Sequence, residues 1–293
     1  MKNPFKGSGV ALVTPFTKDF QIDFDALTKL VNYQIDNGTD FLVVQGTTGE
    51  SPVLSQEEKM LLLDAVIKEN NGQLKIVYGV GGNDTISVGE LLKQIPNGVD
   101  GILSVSPYYN KPTQKGIVTH FTHLASCTDL PIILYNVPGR TGSNMDAQTV
   151  LELAKIPNIV AVKEASGSLD QIMEILRLKE DDFSVLSGDD AITLPIIACG
   201  GDGVISVVAN AFPSEFSKMI HSALQHDLIN AKSYHYELLC ITRWFFEQGN
   251  PGGVKAALET LDIMEPYMRL PLMPITDELY NRIKNETNRI KSL

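Results

Sequence analysis

The segment Ile159-Val160-Ala161-Val162-Lys163-Glu164-Ala165 has the length and β-branched content of a fully buried parallel strand, yet it carries a lysine near its end. An ammonium group loses its water in such a strand and is normally excluded from it. Because desolvation disfavours charged lysine, an amine placed there can become a neutral nucleophile that attacks a carbonyl carbon. The alternative is a lysine at a strand end that reaches solvent or pairs with Glu164. The other strands must decide between a Schiff-base lysine and this purely structural lysine.

Seven further apolar runs of similar length alternate with helical patterns along the chain. They cover residues 9–14, 41–46, 74–79, 101–106, 131–136, 183–188 and 203–208. Strands separated by helices in this order predict a (β/α)8 TIM barrel of the α/β class, with a doubly wound sheet as the alternative. Eight evenly spaced units of about 25 to 30 residues favour the barrel, whose usual length is about 250 residues.

Helix signals and domain organisation follow from the same pattern. Ser55-Gln56-Glu57-Glu58 is a capping box, and Asp146 precedes another periodic stretch. After Pro213 there is no further strand run, and helical periodicity covers residues 216–228, 231–248 and 277–290. We therefore predict a barrel core at residues 1–212 and a C-terminal helical region at residues 213–293, packed on the barrel.

Composition limits the classes of function. A chain of 293 residues with 43% hydrophobic residues can bury a large core. The formal charge of -11 repels nucleic acid and anionic lipid, and no apolar segment is long enough to span a membrane. The amino terminus lacks the apolar core of a signal peptide, so we expect a cytoplasmic protein. Cys127, Cys199 and Cys240 are widely spaced and suit reduced thiols.

In a barrel, the active site lies at the carboxyl ends of the strands. Polar and small residues gather at those ends in this sequence: Thr47, Thr48, Glu50, Tyr108, Tyr109, Tyr135, Arg140, Lys163, Gly188, Asp189 and, within the eighth run, Ile205. Period-two alternation predicts that Lys163 and Ala161 face the barrel interior while Val160 and Val162 face the helices. This convergence favours a catalytic role for Lys163.

A lysine nucleophile requires proton transfer, because its carbinolamine must lose water. Tyr135, with Thr47 and Tyr109, supplies hydroxyl groups suited to a proton relay, although Tyr135 alone could equally be a core aromatic residue. Arg140 offers a planar fork for a carboxylate, whereas a lone loop arginine is more often a surface residue.

Other signals favour structural roles. The segment Gly79-Val80-Gly81-Gly82-Asn83-Asp84 lacks the third glycine of a dinucleotide fingerprint and is typical of a βα turn. His120 and His123 share a helical face without a third ligand, so we expect solvent-facing histidines. Asp189 and Asp190 are explained by N-capping at a helix start after the seventh strand. We predict no metal site.

Five ordered motifs carry a family resemblance over nearly the whole chain. They are Gly46-Thr47-Thr48-Gly49-Glu50-Ser51, Ser106-Pro107-Tyr108-Tyr109-Asn110-Lys111-Pro112, Leu134-Tyr135-Asn136-Val137-Pro138-Gly139-Arg140-Thr141-Gly142, Val162-Lys163-Glu164-Ala165 and Leu186-Ser187-Gly188-Asp189-Asp190. Together they resemble the dihydrodipicolinate synthase family, within the N-acetylneuraminate lyase superfamily of pyruvate-dependent class I aldolases. The resemblance implies a lyase of lysine and diaminopimelate biosynthesis that condenses pyruvate with L-aspartate 4-semialdehyde, without a cofactor.

The resemblance also implies roles for individual residues. Lys163 would form the Schiff base with pyruvate, Tyr135 would donate and accept protons, and Thr47 and Tyr109 would complete the relay, with Tyr109 crossing a dimer interface. The pyruvate moiety would be held by Thr48, with Gly188 and Ile205 nearby, and the semialdehyde carboxylate by Arg140. Two dimers would pair into a homotetramer.

Two other functions remain open at this point. A sister lyase for a sialic acid or sugar acid would share the barrel and lysine. The sialate lyases, however, lack the Val-Pro-Gly-Arg-Thr-Gly form of the loop that carries Arg140. A non-catalytic pyruvate sensor would have no need of the hydroxyl relay.

Many members of the family are inhibited by L-lysine at an interface site. Ser51, Asn83 and Tyr108 match the lysine-sensitive pattern, but Gln56 and Lys59 replace histidines and Ser87 replaces a glutamate that would face the ligand's ammonium group. An added ammonium and a missing carboxylate both disfavour a cationic ligand. We expect weak or absent inhibition, unless Glu90 on the same helical face replaces the missing carboxylate.

Overall fold

Eight short strands alternate with helices in a computed structural model that describes residues 4–292. The strands are β1 Gly7–Ala11, β2 Phe41–Val44, β3 Lys75–Gly79, β4 Gly101–Val105, β5 Ile132–Asn136, β6 Ile159–Glu164, β7 Ser184–Ser187 and β8 Gly203–Ser206. Each lies on one of the predicted runs, although β1 begins earlier. All neighbours are parallel, and β8 pairs with β1, so the sheet is a closed barrel. The prediction of a TIM barrel is confirmed, and the doubly wound alternative is excluded.

Helices follow the strands and continue beyond the barrel. They are α1 Phe24–Asp36, α2 Gln56–Asn70, α3 Thr85–Leu92, α4 Gln114–Ser126, α5 Pro138–Thr141, α6 Ala147–Leu153, α7 Leu169–Leu178, α8 Thr193–Ala198, α9 Pro213–Leu224, α10 Leu228–Glu247, α11 Gly252–Thr260 and α12 Asp277–Lys291. The predicted capping box is present: the Glu58 N–H donates to the Ser55 hydroxyl at 3.1 Å, and the Ser55 N–H donates to the Glu58 carboxylate at 2.9 Å. Asp146 precedes α6, but its side chain makes no capping hydrogen bond.

Apolar side chains form two layers on opposite faces of the strands. An inner cluster inside the barrel includes Val43, Val77, Ile133, Ala161 and Leu186. The larger outer cluster joins the other strand face to the helices, as expected where side chains alternate across a sheet.

Val160 departs from the predicted alternation. Val162 lies in the outer cluster as expected, but Val160 belongs to the inner cluster beside Ala161. The cause is a register irregularity, because Ile132 pairs with Ile159 whereas Ile133 pairs with Ala161. One extra residue in β6 resets the period of two, so the expectation that Val160 faces the helices was wrong.

The C-terminal region packs directly on the barrel. Helix α9 contacts β1 and α8, and α10 packs along α9. Helix α11 was not predicted, because it begins with Gly252 and Gly253 directly after Pro251. The domain boundary after residue 212 stays a prediction. Within residues 4–292, no helix is long and apolar enough to cross a membrane.

Candidate active site

A cavity of about 400 Å³ opens at the carboxyl ends of strands β2 to β5. Its wall includes three of the predicted catalytic and substrate-binding residues, Thr47, Tyr135 and Arg140, together with Tyr108 and Glu50. Their convergence follows from parallel strands, which end on the same rim of the barrel. Within residues 4–292 the exposed Arg140 guanidinium forms no ion pair or hydrogen bond, so it is available to an anionic ligand.

Lys163 and Tyr135 face one another inside the barrel. They are register partners on β6 and β5, and the Lys163 Nζ lies 4.4 Å from the centre of the Tyr135 ring. Both are nearly buried, with exposures of 6% and 7%. In the part of the chain that the structure describes, the Lys163 amine makes no hydrogen bond or ion pair. An unpaired amine beside a phenol can attack a carbonyl group and exchange protons with a neighbour.

Glu164 does not pair with Lys163, which excludes the alternative that Lys163 is a structural lysine paired with Glu164. Its carboxylate accepts hydrogen bonds from the Asn136 side chain at 3.0 Å, the Gln171 side chain at 2.8 Å and the Ser166 N–H at 2.9 Å. Burial raises the pKa of Glu164, although these hydrogen bonds act in the opposite direction. Asn136 and Glu164 follow Tyr135 and Lys163 in sequence, so this buried network ties together the two strands that carry the amine and the phenol.

Gly188 provides the space that the Lys163 side chain occupies. A Cβ atom at residue 188 would lie 3.0 Å from the Lys163 Cε, 3.1 Å from its Cγ and 2.8 Å from the Ala165 Cβ. The inward-facing side chain of Ile205 belongs to the inner cluster. Thr48 is buried, and its hydroxyl accepts a hydrogen bond from the Asn250 side chain at 2.9 Å. None of these three predicted residues, nor Lys163 itself, is part of the cavity wall.

Tyr109 is not brought to the cavity of its own chain. Its side chain is 87% exposed, and its backbone has a φ of 73°. Tyr108, the preceding residue, lines the cavity instead. A role for Tyr109 in a proton relay therefore requires a second chain.

Sequence reasoning missed the contribution of the C-terminal region to this end of the barrel. Asn250 lines the cavity, and Lys255 forms an ion pair with Glu50 at 2.6 Å in which both side chains are at most 1% exposed. Burial lowers the pKa of Lys255 to about 8, although Glu50 opposes the shift. The signal was present in the sequence, because Lys255 interrupts the apolar stretch Val254-Lys255-Ala256-Ala257-Leu258 as Lys163 interrupts its strand.

Asp189 and Asp190 have different roles. Asp189 accepts a hydrogen bond from the Ala191 N–H at 3.1 Å and so caps the short 3₁₀ helix Asp190–Ile192, which confirms its predicted role as an N-cap. Asp190 does not cap: it is buried and accepts from the Val207 N–H at 3.0 Å, and burial raises its pKa to about 6. Within residues 4–292, no group of three or more His, Cys, Asp or Glu residues is arranged to hold a metal ion.

His120 corrects another expectation. It was expected to face solvent, but it is buried and its Nδ1 lies 2.8 Å from the Thr85 hydroxyl. Burial lowers its pKa to about 4, so packing between α3 and α4 accounts for this residue.

A second cavity of about 200 Å³ lies beside the first and includes half of the predicted lysine site. Ser51, Gln56 and Lys59 line it. Burial lowers the pKa of Lys59.

The other half of the predicted lysine site lies on the exposed surface outside this wall. Asn83 donates to the Tyr108 carbonyl at 3.2 Å, and the Ser87 hydroxyl donates to Asp84. Glu90, the residue that could replace the missing carboxylate, is paired with Lys93 at 2.7 Å. The single chain therefore does not bring the whole predicted site together.

A closed barrel with a cavity and ionisable groups at its carboxyl end defines the class of barrel enzymes. Comparison identifies the member of that class: residues 4–290 match the model of the dihydrodipicolinate synthetase family, and the chain belongs to this family. A curated relative from Flavobacterium psychrophilum, named 4-hydroxy-tetrahydrodipicolinate synthase, is 50% identical over 98% of both chains. Another of that name, from Phocaeicola vulgatus, is 49% identical over 98% of this chain and 97% of the relative. The crystal structure of dihydrodipicolinate synthase from Aquifex aeolicus superposes with a TM-score of 0.94 at 41% identity, covering 98% of each chain.

Proposed function

We propose that the protein is a lyase with 4-hydroxy-tetrahydrodipicolinate synthase activity, in which Lys163 forms a Schiff base with pyruvate. The curated relatives carry that name at about half identity over the full chain. The observation that carries the catalytic assignment is the Lys163 amine, which is nearly buried, has no ion-pair partner within residues 4–292 and lies 4.4 Å from the Tyr135 ring centre. The reaction belongs to the biosynthesis of diaminopimelate and lysine.

The Lys163 nitrogen attacks the keto carbon of pyruvate, and the resulting carbinolamine loses water to give an iminium. Removal of a proton from the pyruvate methyl group then gives an enamine. Tyr135 is the group that donates and accepts these protons, because its hydroxyl-bearing ring lies against the amine. Thr47, which is exposed on the cavity wall, and Tyr109 of a second chain extend the relay toward solvent.

Pyruvate is held beside the Lys163 amine inside the barrel. Thr48 sits in the turn at residues 46–51, Gly188 leaves room beside the Lys163 stem, and Ile205 provides an apolar floor. Arg140 binds the carboxylate of L-aspartate 4-semialdehyde, since Arg140 lines the cavity together with Tyr135 and its guanidinium is not engaged by another described residue.

Carbon–carbon bond formation joins the two substrates. The enamine carbon attacks the aldehyde carbon, the substrate's amino group attacks the iminium carbon, and Lys163 leaves as the free amine. The product is 4-hydroxy-tetrahydrodipicolinate, and one water molecule is released overall. Every group needed for these steps is a side chain or a substrate atom, so the proposal includes no metal or organic cofactor.

The assembly that we propose is a homotetramer built from two dimers in the cytoplasm. The exposure of Tyr109 supports it, because a tyrosine that is 87% exposed and does not line the cavity of its own chain is free to complete the site of a neighbour. Analytical ultracentrifugation checks the assembly, and a protein that remains monomeric at full activity would contradict the shared relay.

A coupled assay with pyruvate and L-aspartate 4-semialdehyde tests the activity. We expect both substrates to be consumed. A coupling reductase added to the assay should then reduce the product, and the oxidation of its NADPH reports the rate. Cleavage of a sialic acid or sugar acid without this condensation would instead favour the sister lyase. Pyruvate binding without turnover of either kind would favour the sensor.

A further inference from the structure

Lys255 is a second buried lysine near the active site, and the proposed reaction does not use it. Its amine contacts three acceptors: Glu50 at 2.6 Å, the Tyr267 carbonyl at 2.7 Å and the Thr14 carbonyl at 2.8 Å. The amine also lies 4.6 Å from the centre of the Phe16 ring. All three protons of the ammonium group therefore have a partner, which fixes the side chain in one position.

Glu50 belongs to the turn that presents Thr47 and Thr48. The backbone of Glu50 is left-handed, with a φ of 54°, and the Glu50 N–H donates to the Thr47 carbonyl at 3.2 Å. A second carboxylate oxygen of Glu50 accepts from the Arg269 N–H at 3.1 Å. The carboxylate thus joins this turn to two parts of the C-terminal region, at Lys255 and at Arg269.

Two further contacts hold the same turn. The Thr14 hydroxyl donates to the Gly49 carbonyl at 2.7 Å, and the Asn250 side chain donates to the Thr48 hydroxyl at 2.9 Å. Lys255 bonds the backbone carbonyl of Thr14, so the β1 end, the turn and the C-terminal region meet at one ammonium group.

Stability alone does not explain such a pair. Burying both charges is costly, and apolar residues of similar volume are often as stable or more so. A fully satisfied buried network does, however, restrict the backbone to one arrangement. Binding of a carboxylate by Thr48 and proton transfer through Thr47 need such a fixed arrangement.

We propose that Lys255 is a positioning residue for pyruvate capture, which acts through Glu50 to hold the turn that carries Thr47 and Thr48. This inference rests on the proposed function. It makes the C-terminal region a part of the active site, although that region supplies no group to the reacting atoms.

The test compares Lys255→Met and Glu50→Gln with the wild type, and Lys75→Met is the matched control. Lys75 forms an exposed ion pair with Asp100 at 2.7 Å, remote from the turn, so its loss should leave both substrates' kinetics unchanged. In folded Lys255→Met and Glu50→Gln we expect the KM for pyruvate to rise by at least about tenfold, and trapping of pyruvate by borohydride to slow similarly. The KM for the semialdehyde should change by less than about threefold, because Arg140 lies on another loop. Folded variants with pyruvate capture within about twofold of the wild type would overturn the proposal.

A single substitution can prevent folding, because it leaves one buried charge without its partner. The double variant Lys255→Met/Glu50→Gln removes both charges. It should recover thermal stability but retain the defect in pyruvate capture, since methionine cannot donate to the Thr14 and Tyr267 carbonyls. Full recovery of pyruvate capture would mean that the two residues only neutralise one another, and would overturn the positioning role.

Hydrogen exchange gives a measurement that needs neither a variant nor activity. In the wild type, the Gly49 and Glu50 amides should exchange as slowly as the barrel strands, because the turn opens only when the buried network opens. Fast exchange of these amides through local opening would overturn the proposal. A wild type that captures no pyruvate would refute the proposed function instead, and this exchange measurement would still decide whether the turn is held.

Discussion

Replacing Gly188 with alanine adds one methyl group beside Lys163, the proposed nucleophile. The new carbon would lie 2.8 Å from the Ala165 Cβ and 3.0 Å from the Lys163 Cε. Carbon atoms in good contact are about 3.5 to 4.0 Å apart, so these neighbours must move by about 0.5 to 1 Å. The Lys163 side chain is more flexible than that of Ala165, so we expect Lys163 to move and its amine to lose its contact with the Tyr135 ring.

The magnitude follows from that displacement. A misplacement of about 1 Å at a reacting group costs roughly 10²-fold in rate. Overpacking of a dense interior typically destabilises by about 1 to 3 kcal/mol. We therefore expect Gly188→Ala to fold, with a modest loss of thermal stability and a loss of pyruvate capture of roughly 10- to 10²-fold.

Gly139→Ala is the matched control, because a Cβ atom at residue 139 meets nothing within 4 Å. For both variants we measure the melting temperature and the rate at which borohydride traps the imine formed with pyruvate. Gly139→Ala should trap pyruvate at the wild-type rate. Near-normal trapping by Gly188→Ala would refute the argument that Gly188 provides the space for the Lys163 side chain.

Four further predictions concern single groups. Tyr135→Phe keeps the ring but removes the proton carrier, so turnover in the coupled assay should fall by roughly 10²- to 10⁴-fold; a variant with near-normal turnover would make Tyr135 merely structural. Arg140→Ala should raise the KM for the semialdehyde while pyruvate trapping persists, and equal loss of both steps would mean that Arg140 shapes the whole site. L-Lysine should inhibit weakly or not at all, because Lys59 lines the smaller cavity and Glu90 is paired with Lys93; strong inhibition at sub-millimolar lysine in a titration of the coupled assay would contradict this. The hydrogen bond from Arg269 lowers the pKa of Glu58 from 4.5 to about 2, so the stability that this pair contributes is present above pH 4.5 and is lost as the pH falls toward 2. In acid unfolding, Glu58→Gln should therefore lose less stability over this pH range than the wild type. An unchanged dependence of stability on pH would exclude the Glu58–Arg269 pair as the source of the loss.

The fold could be predicted because a barrel strand is buried on both faces. Short apolar runs at regular spacing carry that signal without any long-range information, and the capping box at Ser55 marks a helix start from four adjacent residues. Helix α11 escaped prediction because Gly252 and Gly253 are poor helix formers in isolation, and only tertiary packing makes them helical. The orientation of Val160 depends on a register irregularity between two strands, which no pattern within one strand reveals.

The candidate site could be predicted where a polar or charged residue stands in an apolar stretch of sequence. Lys163 stands out because a charge interrupts an apolar strand, and Tyr135 and Arg140 follow from the common rim of parallel strands. Lys255 interrupts an apolar stretch in the same way, but its partner Glu50 is distant in sequence, so the pair becomes visible only in the fold. The same distance hid the contact of Asp190 with the amides after β8 and the burial of His120. The role proposed for Tyr109 involves a second chain, which a single sequence does not place.

Identification of the lysine that captures pyruvate decides whether Lys163 is the nucleophile. The protein is incubated with pyruvate, the imine is reduced with borohydride, and the modified peptide is sequenced by mass spectrometry. The expected result is a single adduct on Lys163, the buried amine that makes no ion pair within residues 4–292. An adduct on Lys255 or on any other lysine, or no adduct at all, would contradict it.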